Sequence, residues 1–151
     1  MKAVAFLITL LVSITVPTLT HAQSTDREVL AVVTRFFDGM RAKDAKMIAS
    51  TLFGEVTLVT TSTDKAGKPV ARAEAMAGFL DSIAKATGKL DERISSPDVR
   101  VEDNLATVWA RYQFYLNDRF SHCGIDAFQL VKTDGGWKIA AIADTRRDTC
   151  T

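Results

Sequence analysis

Apolar residues recur at helical spacing in the first half of the chain and at alternate positions in the last third, and this change of period divides the molecule. Val29, Val33, Phe36, Phe37 and Met40 share one helical face, which predicts a helix running to about Ala42. Thr25-Asp26-Arg27-Glu28 just upstream fits a capping box, in which a hydroxyl and a carboxylate satisfy orphan N–H groups. Asp44 can cap a second, short helix carrying Met47, Ile48 and Leu52. Glu55 to Thr61 is β-branched and predicts a strand, and Asp64 to Pro69 a turn-rich loop. A third helix is expected from about Arg72, with Met76, Phe79, Leu80 and Ile83 on one face and Gly88 at its stop.

From Val99 the period is two. Val99 to Glu102 and Leu105 to Leu116 flank Asp103-Asn104, a hairpin signal that pairs Glu102 with Leu105, Val101 with Ala106 and Val99 with Val108. Ala110, Tyr112, Phe114 and Leu116 continue the apolar face, whereas Trp109, Arg111, Gln113 and Tyr115 point the other way. A second hairpin joins Ile125–Lys132 to Trp137–Thr145. If Lys132 faces Trp137, strict alternation gathers Phe128, Leu130, Trp137, Ile139, Ala141 and Ala143 on one face, with Asp126 opposite Ala143. The same counting puts Asp144 and Arg146 on the other face, with Ala140 and Ile142.

The N-terminus changes the setting. Lys2 is followed by an uncharged stretch, apolar from Ala3 to Val16, then Pro17 and a small-residue exit at Thr20-His21-Ala22. This is the pattern of a secretory signal peptide over residues 1–22, leaving a mature domain over 23–151. An uncut membrane anchor is the alternative, although the apolar core is shorter than the ~20 residues a span needs. Export would let Cys123 and Cys150, the only cysteines, form a disulfide, the other reading being two independent thiols. Removing Lys2 from 19 basic residues leaves 18 against 18 acidic ones. A neutral chain without a basic face argues against a nucleic-acid partner, and no polybasic motif points to a membrane surface once the signal is cleaved.

Helix, short helix, strand, helix and a meander of antiparallel strands is an α+β order. With its opening helix bearing Phe36-Phe37, the Lys43-Asp44 start of the short helix and the closing strand Gly136-Trp137-Lys138-Ile139, the chain resembles the nuclear transport factor two-like superfamily. That superfamily includes SnoaL-like and ketosteroid isomerase-like proteins. The resemblance spans about Asp26 to Thr145. It implies a cone-shaped fold, in which a curved, mostly antiparallel sheet wraps against the three N-terminal-half helices around a largely apolar cavity, often in a dimer. It does not imply one activity, because relatives include isomerases, dehydratases, hydrolases and non-catalytic proteins.

No phosphate-cradling glycine loop, Gly-x-Ser-x-Gly elbow or His-Glu-x-x-His is present, and only His122 survives signal cleavage, so neither a metal site nor a cofactor is expected. The anomaly is Asp126 on an apolar face. A carboxylate in an apolar cavity has its charged form disfavoured and becomes a usable acid or base, with Tyr112 as a hydrogen-bond donor to a developing oxyanion and His122 nearby. Against this stand an ion pair of Asp126 with Arg146 or Arg147, or a bulge that turns it outward. Phe114, Phe128, Leu130, Trp137, Ile139, Ala141 and Ala143 are the expected ligand-contacting wall. Trp109, Arg111, Gln113 and Tyr115 have the composition of an interface core and are the expected homodimer face. Three functions follow: a cavity binding a small, largely apolar molecule; a cofactor-independent isomerase, dehydratase or hydrolase using Asp126; or a dimeric interaction module with a filled core.

Overall fold

A computed structural model describes residues 21–150, so the signal-peptide expectation lies almost wholly outside the described residues. Helix α1 spans His21–Ala42 and buries Val29, Val33, Phe36, Phe37 and Met40, the stripe its periodicity predicts. It already runs at His21, so Thr25 lies inside it rather than at its start, and Glu28 reaches Lys132 at 2.7 Å. Helix α2, Ala45–Ala49, is capped as expected: the Asp44 carboxylate accepts from Met47 N–H at 2.9 Å.

Strand β1 covers Thr57–Thr63 and turns back at once as β2, Pro69–Ala75. Here the chain departs from its local preferences. Ala71-Arg72-Ala73-Glu74-Ala75 is composed of helix formers, yet pairing along all of β1 outweighs that propensity. Helix α3 therefore starts later than expected, over Met76–Lys85, burying Met76 and Ile83.

The meander follows as β3 (Leu90–Glu102), β4 (Leu105–Leu116), β5 (Arg119–Thr133) and β6 (Gly136–Thr145). Glu102–Leu105, Val101–Ala106 and Val99–Val108 are paired as the Asp103-Asn104 turn requires. Strand β3 is longer than its alternation suggests, because an irregularity between Ser95 and Asp98, with Ser96 at φ 48°, interrupts the period and hides its first half. The six strands form one curved, unclosed sheet in the order β2-β1-β6-β5-β4-β3, antiparallel except where β1 runs parallel to β6. Helix α1 lies across its inner face, where Phe36 and Phe37 meet Phe128 edge-on at 6.1 and 5.8 Å.

Pairing of β5 with β6 begins as predicted, with Lys132 opposite Trp137 and Leu130 opposite Ile139. One extra residue, Ala140, is then inserted in β6, so that Gln129 faces Ala141, Phe128 faces Ile142 and Asp126 faces Asp144. Beyond this bulge the faces exchange. Ala141 and Ala143, expected in the cavity, lie on the outer face, while Ile142 and Asp144, expected outside, turn inward.

After β6 the chain continues as a short strap. Arg146 N–H donates to Thr61 O at 2.7 Å, Cys123 and Arg147 exchange backbone hydrogen bonds at 2.9 and 2.8 Å, and Cys150 is disulfide-bonded to Cys123. The strap approaches β5 so closely that a Cβ at position 124 would overlap the Thr145 carbonyl and lie 2.8 Å from the Tyr112 ring. Gly124→Ala is therefore expected to cost about 3 kcal/mol or more in equilibrium denaturation. Gly135→Ala, whose nearest neighbour lies 3.7 Å away, is expected to change stability by about 0.5 kcal/mol or less.

Candidate active site

The concave face of the sheet, α1 and α3 enclose a cavity of about 310 Å³. Its apolar wall comes from Phe36, Phe37 and Met40 of α1, Phe79 and Ile83 of α3, and Leu58, Leu90, Phe114, Phe128 and Ile142 of the sheet. Its polar groups converge from five strands and the strap: Thr60, Glu92, Tyr112, His122, Asp126, Asp144 and Arg146. Glu74 of β2 completes the lining.

Asp126 is 3% exposed, makes no salt bridge, and leaves Oδ2 buried without a hydrogen-bond partner. Neither Arg146 nor Arg147 neutralises it, and no bulge turns it out. Burial drives its pKa well above the ordinary carboxylate range, and the charges of Glu92 and Asp144 push the same way. Glu92 lines the same cavity, its charge interacts with Asp126, and its pKa is pushed up to about 8, by burial first and then by Asp144. Two buried carboxyls that interact this strongly are disfavoured from both ionising at neutral pH, so they share protons.

Asp144 has a different environment. Burial raises its pKa too, but Thr60 donates to Oδ1 at 2.6 Å, Tyr112 approaches Oδ2 at 3.3 Å, and the charge of Arg146 favours its ionised form. All three acids are thus raised, but unequally supported: Glu92 and Asp126 have burial and like charge against them, whereas Asp144 has hydroxyl donors and Arg146 favouring its ionised form. Such unequal environments within one cavity suit an acid and a base.

Tyr112 does not take the place expected for it. Its hydroxyl lies 3.0 Å from Thr145 O and 3.3 Å from Asp144 Oδ2, both acceptors, so its single proton is committed to the protein. Burial and the surrounding acids hold the phenol far above its usual pKa. It positions Asp144 and the strap rather than offering a donor to an oxyanion. His122 lies in the wall, its ring 4.9 Å from Phe114 and its Nδ1 3.0 Å from Ser121 Oγ. Burial, assisted by Arg146, lowers its pKa to about 4, so the imidazole is neutral at physiological pH.

Of the expected ligand wall, Phe114 and Phe128 line the cavity. Leu130, Trp137 and Ile139 are buried in the core nearer the second hairpin and do not reach it. Trp109, Arg111, Gln113 and Tyr115 alternate on the outer face of β4, where Trp109 is 56% exposed and Tyr115 lies under Arg93 at 4.3 Å. Glu92 and Asp144 are the site residues that sequence reasoning missed. A counterpart for Asp126 could have been sought by allowing a one-residue slip, which puts Asp144 directly opposite it. Among the described residues, no three of His, Cys, Asp and Glu are arranged to hold a metal ion.

This architecture is the nuclear transport factor 2-like (NTF2-like) cone fold. An NTF2-like protein of unknown function from Shewanella baltica superposes with a TM-score of 0.60 at 16% identity, covering 87% of this chain and 100% of that one. A cystatin-like-fold protein of unknown function from Nostoc punctiforme gives 0.66 at 13% identity, over 87% and 96%. A protein from Streptomyces avermitilis described as a "putative dehydratase from the NTF2-like family" gives 0.62 at 14% identity, over 83% and 98%. Within this fold the chain belongs to the family described as "Putative lumazine-binding", whose model matches residues 24–143. No curated protein matches the sequence.

The raised acids make stability depend on pH. Between its ordinary value of 4.5 and about 8, Glu92 binds more proton in the folded than in the unfolded chain, so its contribution falls as pH rises through that window. His122 acts oppositely between about 4 and 6.5, binding less proton when folded, so stability rises with pH there. The window from 6.5 to 8 therefore isolates the acid pair. Denaturation midpoints are expected to fall across it, by no more than about 2 kcal/mol for one proton. Glu92→Gln is expected to flatten that slope.

Proposed function

We propose that the cavity binds a small, largely apolar molecule carrying a carbonyl and moves a proton on it without a cofactor, as in a dehydration or isomerisation. The observation that carries this reading is the unpartnered Asp126 Oδ2 inside an apolar cavity, beside the proton-sharing Glu92 and opposite Asp144. In a dehydration, Asp144 takes a proton from the carbon next to the carbonyl and the C–H electron pair becomes the new double bond. The C–O bond of the leaving hydroxyl breaks as the Glu92–Asp126 pair delivers a proton to it, releasing water. Asp144 then holds one proton more and the pair one fewer, and exchange with solvent resets both. In an isomerisation the pair instead protonates the enolate oxygen, Asp144 then returns its proton to a different carbon of the dienol, and the oxygen gives its proton back to the pair as the carbonyl re-forms. Neutral His122 offers a hydrogen bond rather than a charge. The family's description and the dehydratase description of one structural neighbour support a small-molecule site.

Export belongs to the same proposal. The charge-free apolar N-terminus suits a signal, and a Cys123–Cys150 disulfide suits an oxidising compartment. Native mass spectrometry of protein recovered from an exporting host reads both points. The mass is expected to place the N-terminus at Gln23, and mild release is expected to yield a bound small molecule. With that molecule or its hydroxylated precursor as substrate, Asp144→Asn and Asp126→Asn are each expected to lower kcat by about 100-fold or more. Unchanged turnover in both would remove the catalytic reading and leave a binding protein.

A second reading concerns assembly, and the exposure of Trp109 amid Arg111, Gln113 and Tyr115 favours it. A large aromatic left in water on a flat sheet face is the centre an isologous dimer would cover. Sedimentation analysis is expected to give a dimer for the native chain and a monomer for Trp109→Glu. A monomeric native chain would end this reading.

A further inference from the structure

Among the described residues, Arg146 is the one Lys or Arg that lines the cavity. It is exposed at the rim, and none of the salt bridges or side-chain hydrogen bonds among the described residues involves its guanidinium. Asp144, two residues back in β6, is instead held by Thr60 at 2.6 Å and approached by Tyr112 at 3.3 Å. The backbone that carries it is nonetheless held in place from several directions. Its own N–H donates to Thr61 O at 2.7 Å, Thr145 Oγ1 accepts from Ile125 N–H at 2.9 Å, and Arg147 pairs with Cys123. Beyond it the Cys123–Cys150 bond ties the strap to β5.

We propose that Arg146 binds the anionic group of the ligand, so that the molecule this cavity takes is an apolar carbonyl compound bearing a carboxylate. The inference rests on the cavity being a ligand site and names the class of molecule it selects. Phe36, Phe79 and Phe128 would enclose the apolar body, the acids would face the carbonyl, and the carboxylate would remain at the rim where water still reaches it. A planar guanidinium matches a carboxylate with two parallel hydrogen bonds, which an uncommitted arginine can supply. The acids at the back do not oppose this choice. Glu92 and Asp126 share protons and present donors, which leaves Asp144 as the opposing charge. A cationic ligand would meet Arg146 first.

The test uses two probes of nearly equal shape, 1-naphthylacetate and the neutral 1-naphthylacetamide, titrated calorimetrically into the disulfide-intact protein at low ionic strength. The acid is expected to bind about tenfold more tightly than the amide. Arg146→Gln is expected to abolish that preference while leaving amide affinity unchanged. Arg147→Gln, which removes the same charge one residue further on, is expected to keep it. Equal binding of acid and amide by the native chain overturns the inference alone, as does a preference that survives Arg146→Gln or falls equally in both variants. Binding of neither probe removes the cavity reading and this inference with it.

Discussion

One inserted residue decides what the cavity contains. Were Ala140 paired in a regular ladder, alternation along β6 would continue from Trp137 and Ile139 to Ala141 and Ala143, and Asp126 would face small apolar side chains on that strand. With it, the inward face changes parity. The first half of β6 packs Trp137 and Ile139 into the core, and the second half sends Ile142 and Asp144 into the cavity. Side chains of a strand alternate with a period of two, so no smaller change than one residue could do this. The opposition of Asp144 to Asp126, the reach of Tyr112 to both Asp144 and Thr145, and the exit of the strap over the cavity rim all follow from that shift.

The same arrangement carries an energetic penalty that the rest of the molecule must offset. Carboxyls buried together lose hydration and repel one another unless they take up protons. The opposing contributions lie close by. The Phe36, Phe37 and Phe128 cluster closes the apolar side with edge-on contacts. The disulfide, closing a sequence separation of 27, removes chain entropy from the unfolded state worth about 3.6 kcal/mol. Its position matters beyond that figure, because it ties down the strap that carries Arg146 and supplies the Thr145 carbonyl to Tyr112.

Much of this was legible in the sequence wherever one periodicity ran uninterrupted. The stripe from Val29 to Met40 marked the buried face of α1. Asp103-Asn104 between two alternating runs set the register of β3 on β4 to the residue. Asp126 stood out as a charge on an apolar face, and it lies in the cavity. Legibility failed where a local signal was outvoted or broken. The Ala71–Ala75 segment is made of helix formers, and only its pairing with β1 makes it a strand. The irregularity at Ser96-Pro97 concealed that Glu92 belongs to a strand at all. The Ala140 bulge could not be told from strict alternation, because Ala140, Ala141 and Ala143 are equally acceptable on either face. Misplacing Asp144 was the direct consequence, and Tyr112 was then assigned a free proton that its true neighbours occupy.

The composition of the cavity bears on the choice between a filled structural core and a working site. A module needing only stability would close this space with apolar side chains, since replacing buried charged groups by well-packed hydrophobic ones is usually neutral or stabilising. Here the opposite has happened at several adjacent positions. Glu92, Asp126 and Asp144 come from three different strands, Asp126 keeps an oxygen without a partner, and about 310 Å³ remains unfilled beside them. Outside the cavity the acid Asp91 is paired: burial alone would raise its pKa, but Arg93 and Arg41 hold it below its usual value. The chain can therefore pair a buried acid when pairing is all that is required. Three carboxyls gathered in one cavity without an ion pair are what the proposed proton-exchanging site requires, because an acid already neutralised by an arginine has no proton to give.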